Sequence, residues 1–142
     1  MQVEESSREL QSLSASLEPV RVGVPRFDAE HVRLAELLQG ATLAAHDRAN
    51  PQLLRESLAS IFGYALMHFS EEENAMAEVG YAGLAEHRLE HHKILERLQW
   101  QLNRYDVNPY GVALDVVGML EAWLHEHIAC FDVLYERDLR KP

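Results

Sequence analysis

The sequence predicts an all-α fold, an up-down-up-down antiparallel four-helix bundle preceded by an extended N-terminal arm. Three observations carry that prediction. Apolar residues recur at intervals of three and four along four long stretches, the spacing that turns one face of a helix towards a core. The pair Asn-Pro heads two of those stretches, as Asn50-Pro51 and Asn108-Pro109, giving a capping side chain followed by proline where a helix needs no amide donor. No run of alternating apolar and polar residues reads as a strand.

Taken in order, residues 1–20 are rich in Ser and Glu, and Leu10, Leu13 and Leu17 offer only a short apolar stripe. They read as a flexible polar arm. The bundle is expected over residues 21–142. Val20 to Pro25 should be extended, and Phe27-Asp28 marks a helix start, with Asp28 as N-cap and Phe27 and Val32 placed for a hydrophobic staple. That helix should run to about His46, with His31, Ala35, Leu38, Thr42 and Ala45 inward. The second, from Pro51 to about Val79, should end at Gly80. The third, Leu84 to about Tyr105, turns Leu84, His87, His91, Leu95, Leu98, Leu102 and Tyr105 inward. The fourth, Pro109 to about Leu139, does the same with Ala113, Val117, Leu120, Leu124, His127, Phe131 and Leu134.

Composition narrows the partners. A net charge of −10 with no cluster of Lys and Arg argues against nucleic acid or an anionic membrane surface. No run approaches a membrane span and the first residues lack a signal-peptide pattern, so the expected location is cytoplasmic. The single cysteine, Cys130, excludes an intrachain disulfide and a cysteine-rich metal site, and is expected to be a buried, inert thiol.

The chemistry gathers first at His68 and Glu72, which stand about 40° apart on a helix face that otherwise carries Ala65, Ile61, Leu58 and Leu54. A carboxylate on such a face needs a partner. His31, His87, His91 and His127 fall on the inward faces of the other helices, whereas His46, His92 and His125 are expected in solvent. Clustered neutral imidazoles would compete for few buried acceptors, but a metal satisfies them together. Imidazole with carboxylate and no thiolate suits the octahedral chemistry of iron or manganese. So many ligands exceed one ion. Two bridged ions would use them, with His87 and His91 gripping one and His31 and His68 the other. A second bridging carboxylate is then wanted near His127, where Asp132, Glu126, Glu121 and Glu136 are all candidates, because five residues rotate Asp132 about 140° from His127 in an α-helix.

Over about residues 20 to 135 the sequence resembles the hemerythrin family, the non-haem di-iron oxygen-binding bundles. Four patterns carry the resemblance: Val-Gly-Val-Pro-Arg-Phe-Asp-Ala-Glu-His ending at His31, His68-Phe-Ser-Glu-Glu, His87-x-x-x-His91, and Trp123-Leu-His-Glu-His-Ile-Ala-Cys-Phe-Asp132. The fifteen-residue interval from Glu72 to His87 is similar to the family's spacing. Where family members commonly carry a Trp shortly before the Val-Gly pattern, this chain has Ser16-Leu17-Glu18-Pro19.

The resemblance implies one iron held by His87, His91 and His127, a second held by His31 and His68, and Glu72 and Asp132 bridging the two with an oxide or hydroxide. Those ligands fill all but one position of two octahedra, and the position left on the two-histidine iron is where dioxygen would bind. Phe69, Met76, Trp123, Leu124 and Ile128 are expected to line that pocket, a role compatible with ordinary core packing. The expected function is reversible dioxygen binding for transport, storage or delivery. An oxygen or redox sensor acting on a protein partner through the N-terminal arm is the alternative, and a di-iron enzyme handling peroxide or nitric oxide is a further one.

Overall fold

In the computed structural model the described residues are 22–48, 50–132 and 134. They form four α-helices: α1 (Pro25–His46), α2 (Pro51–Glu78), α3 (Leu84–Leu102) and α4 (Pro109–His127). A π-helical turn, Ile128–Asp132, follows directly. The proposed arm, residues 1–20, and the end of the fourth predicted helix beyond Leu134 lie outside the described residues.

Helix starts follow the predicted mechanism at two of the four helices. The side chains of Asn50 and Asn108 accept from the amides of Leu53 and Gly111, each at 3.2 Å, and proline occupies the first helical position after each. The start of α1 differs from expectation. Pro25 opens it and Val24 is the cap residue. Asp28 lies inside the first turn, where its carboxylate accepts from the amides of Val22 at 2.7 Å and Gly23 at 3.0 Å. The expected staple does not form, since Phe27 is fully buried while Val32 is 45% exposed. Starting the helix four residues earlier makes Phe27 a core residue and leaves Val32 on the outer face.

Helix α2 ends as predicted at Gly80, which takes φ +65°. The amide of Gly80 bonds to the carbonyl of Ala77 and that of Tyr81 to the carbonyl of Met76, the paired pattern that closes a helix through a left-handed glycine. Tyr81 then packs on the core, so chain direction reverses within a few residues and α3 begins at Leu84. Helix α3 stops at Leu102, short of Tyr105, and Ile94 rather than Leu95 is fully buried in it.

Helix α1 packs on α2 and α4, and α3 packs on the same two, so the helices surround one core. Its apolar part is built from Leu38, Leu54, Ile61, Leu98, Ala113 and Val116, all at most 2% exposed. The buried polar residues lie towards the other end: near the start of α1 and α3 and the finish of α2 and α4.

Two expectations for the fourth helix fail for one reason. In the π turn each residue advances less around the axis than in an α-helix, so residues five apart come towards one face. Asp132, five residues after His127, is therefore buried with it while Cys130 between them is exposed, correcting the expectation of a buried thiol. Leu134, expected inward, is 51% exposed beyond the same turn.

Candidate metal centre

Of the carboxylates that α-helical angles left open, the π turn brings Asp132 to the inward face. Asp132 stands five residues after His127, and that interval in this turn returns it to the inward face, with Asp132 fully buried and His127 3% exposed. Glu126, one residue before His127, is exposed, and Glu121 is half-buried. Glu136 lies outside the described residues.

Two sets of side chains converge, Glu72 with His87, His91, His127 and Asp132, and His31 with His68 and Glu72. All seven are at most 3% exposed. In the first set the Nε2 atoms of His91 and His127 are 3.1 Å apart and those of His127 and His87 3.0 Å apart. Asp132 Oδ1 lies 3.0 Å from His87 Nε2 and 3.1 Å from His127 Nε2. Neighbouring ligand atoms around an octahedral ion with bonds of about 2.1 Å stand about 3.0 Å apart, whereas around tetrahedral zinc they stand about 3.4 Å apart. The contacts among His87, His91, His127 and Asp132 have the closer, octahedral spacing.

The carboxylates join the sets. Asp132 turns Oδ1 to His87 and His127 and Oδ2 to His31 Nε2, at 3.3 Å. Glu72 Oε1 is 2.8 Å from His68 Nε2 and 3.7 Å from His91 Nε2. Each carboxylate thus faces a histidine of either set.

Electrostatics favour a cation. Both ring nitrogens of His31 and both oxygens of Asp132 are buried without a well-directed hydrogen bond, so what their close approaches supply is charge. Burial opposes ionisation of Asp132, but the neighbouring His127, His31 and His87 outweigh it and hold its carboxyl well below the usual range. Burial, with His127 and His87 beside it, pushes His91 down to about 2 and keeps its imidazole neutral, the form with a free lone pair. At His68 burial again opposes charge, but Glu72 and then Glu30 raise the ring to about 10. Carboxylates that hold a proton so firmly would equally hold a metal cation in its place. The donor set, nitrogen and oxygen with no sulfur, fits iron.

Aromatic rings brace the histidines. Phe69 stacks on His91 with centroids 4.0 Å apart, and Trp123 on His127 at 4.3 Å. Phe131, one turn further on, lies parallel to His127 at 5.3 Å. Of the expected pocket residues, Phe69, Met76, Leu124 and Ile128 are buried and Trp123 is half-buried. His46, His92 and His125 are exposed, as expected.

Two carboxylates that the sequence reading passed over also touch this centre. Glu30 is 8% exposed and its Oε1 lies 3.0 Å from His68 Nδ1. The spacing Phe27, Glu30, Leu34, all on the buried face of α1, was the available signal. Glu73 is half-buried with Oε1 3.4 Å from His91 Nδ1. Burial raises its carboxyl against the pull of Arg88. It lines a cleft of about 590 Å³ between α2 and α3, together with Leu66, Arg88 and His91.

Residues 22–135 match the hemerythrin HHE cation-binding domain. The chain is similar to the bacteriohemerythrin of Methylococcus capsulatus, 31% identical over 63% of this chain and 71% of that one. It is similar also to the bacteriohemerythrin of Clostridium acetobutylicum, 26% identical over 75% of this chain and 86% of the relative. A myohemerythrin of Riftia pachyptila is 26% identical over 84% and 88%. Among solved structures, a hemerythrin with one leucine replaced by tyrosine superposes with TM-score 0.74 at 26% identity, over 83% of this chain and 89% of that one.

Proposed function

The chain belongs to the hemerythrin family, and from that footing we propose that it binds dioxygen reversibly at a non-haem di-iron centre, for transport, storage or delivery. His87, His91 and His127 would hold one iron and His31 and His68 the other, with Glu72 and Asp132 shared. The observation that carries this reading is Asp132, whose two oxygens face histidines of the two different sets. When bound, the iron pair with its bridging oxide or hydroxide supplies the electrons and the open coordination position that dioxygen binding needs.

The protein's own part is to orient imidazoles and exclude water. Phe69 and Trp123 cover His91 and His127 with ring faces. Met76, Leu124 and Ile128 present apolar buried surface. An apolar enclosure and an imidazole-rich ligand set support a carrier rather than an enzyme, because release of bound oxygen unchanged requires that water and proton donors be kept from it. Among the described residues no helix is long and apolar enough to cross a membrane.

The test is iron analysis followed by anaerobic reduction and exposure to oxygen, watched by absorption spectroscopy. Two irons per chain and one oxygen taken up per site, returned under vacuum over several cycles, are expected. A single tightly bound zinc in iron-replete material, or rapid consumption of peroxide or nitric oxide with no stable oxygenated form, would overturn the proposal. A protein partner captured by only the oxygenated or only the deoxygenated form would assign the same site to sensing.

A further inference from the structure

Three carboxylates are buried among the described residues: Glu30, Glu72 and Asp132. The proposed ligand set uses two of them. Glu30 is left over, and a buried carboxylate without a task is costly. Its Oε1 accepts from His68 Nδ1 at 3.0 Å, which leaves Nε2 of His68 facing Glu72 and the centre. His31, the other histidine of this set, has no hydrogen bond on either ring nitrogen among the described residues. Hydrogen-bonded fixation of the pair therefore falls to His68 and so to Glu30. On the other side Glu73 meets His91 Nδ1 at the longer distance of 3.4 Å, with its side chain 24% exposed against 10% for Glu30.

We infer that Glu30 and Glu73 are positioning residues, one for each histidine set, and that the shorter, better-buried contact serves the set with fewer histidines. The inference rests on the di-iron reading. A ligand histidine donates its remote N–H to an outer acceptor, which fixes its tautomer and ring angle and raises its basicity. The three-histidine set has a third imidazole and stacked rings to hold its geometry, so the loss of Glu73 matters less there. The two-histidine set has one imidazole fewer, and the Glu30 contact compensates for it.

Cobalt(II) titration of the metal-free protein tests this, because cobalt reports its coordination by visible absorption without redox chemistry. The unmodified chain should take two equivalents, and His31→Ala identifies which spectral component belongs to the two-histidine set. Glu30→Ala is expected to weaken that component about 10- to 100-fold and to spare the other. Glu30→Gln, whose amide oxygen accepts the same N–H, should restore it to within a few-fold, and Glu73→Ala should weaken the three-histidine component less than about tenfold. If Glu30→Ala does not fold, Glu30→Asp, which keeps the charge but shortens the reach, should weaken the same component. Full affinity in Glu30→Ala, equal losses in Glu30→Ala and Glu30→Gln, or equal weakening of both components would overturn the inference. Fewer than two equivalents in the unmodified chain would instead sink the di-metal reading, before any variant is compared.

Discussion

Asp132 Oδ2 approaches His31 Nε2 at 3.3 Å, joining the end of the last helical segment to the first turns of the first. The same carboxylate meets His87 and His127 through its other oxygen. Glu126, the carboxylate next to His127 in the chain, is exposed.

Asp132→Ala should therefore deplete iron from both positions, while Glu126→Ala keeps a full complement. Iron content after desalting measures this. Equal iron in the two variants would show that the π turn does not set the ligand.

On α3, His91→Ala should lose metal and His92→Ala should not. His91 is 2% exposed, whereas the side chain of its neighbour is 67% exposed and paired with Glu96. Comparable iron loss from both would mean that the register of α3 is wrong.

At the opposite end of the bundle, Leu54 is fully buried among apolar residues. Leu54→Ala should cost about 2–5 kcal/mol by leaving a cavity, with the metal complement unchanged. Chemical denaturation of the loaded protein, read beside iron analysis, separates the two effects. Loss of iron from the folded variant would contradict the division of the core into an apolar end and a polar end.

The metal-free protein should have a pH dependence traceable to His68. Burial opposes its charge, but Glu72 and then Glu30 raise it to about 10. A group raised in this way contributes its full stability below its unfolded value of about 6.5 and loses that contribution as pH climbs through the folded value. Asp132 has the opposite sign: held well below its ordinary range, it stabilises above that range and loses the contribution on acidification. Thermal midpoints of the metal-free chain should fall between pH 6.5 and 10, and fall less in His68→Gln. Identical alkaline profiles would remove His68 from the account.

Much of this is legible in the sequence. Periodicity placed the inward histidines, Asn50-Pro51 and Asn108-Pro109 placed two helix starts, and Gly80 placed an end, because each depends on a few neighbouring residues. Asp132 and Cys130 were not legible from angles. Both lie in a π turn, and a constant α-helical rotation sends the first outward and the second inward. Asp28 looked like a cap because its type suits one, yet Pro25 could start the helix earlier and leave Asp28 to bind the amides of Val22 and Gly23. Glu30 was hidden by its charge. Its spacing from Phe27 and Leu34 was that of a core residue, but a carboxylate there makes sense only once His68 is seen beside it.

The polar side chains occupy one end of the bundle, and Leu38, Leu54, Leu98 and Val116 fill the other. The apolar half can assemble by burial of hydrocarbon alone, with no ion present. The metal half closes only against the cost of bringing ionised carboxylates and imidazoles together out of water, which makes it the less stable end. In the metal-free chain, amide hydrogens near Leu54 and Leu98 should therefore exchange slowly, while those near His31, Glu72 and Asp132 exchange through local opening. Synthesis would then deliver a scaffold whose apolar end is set first and whose looser end receives its ions last.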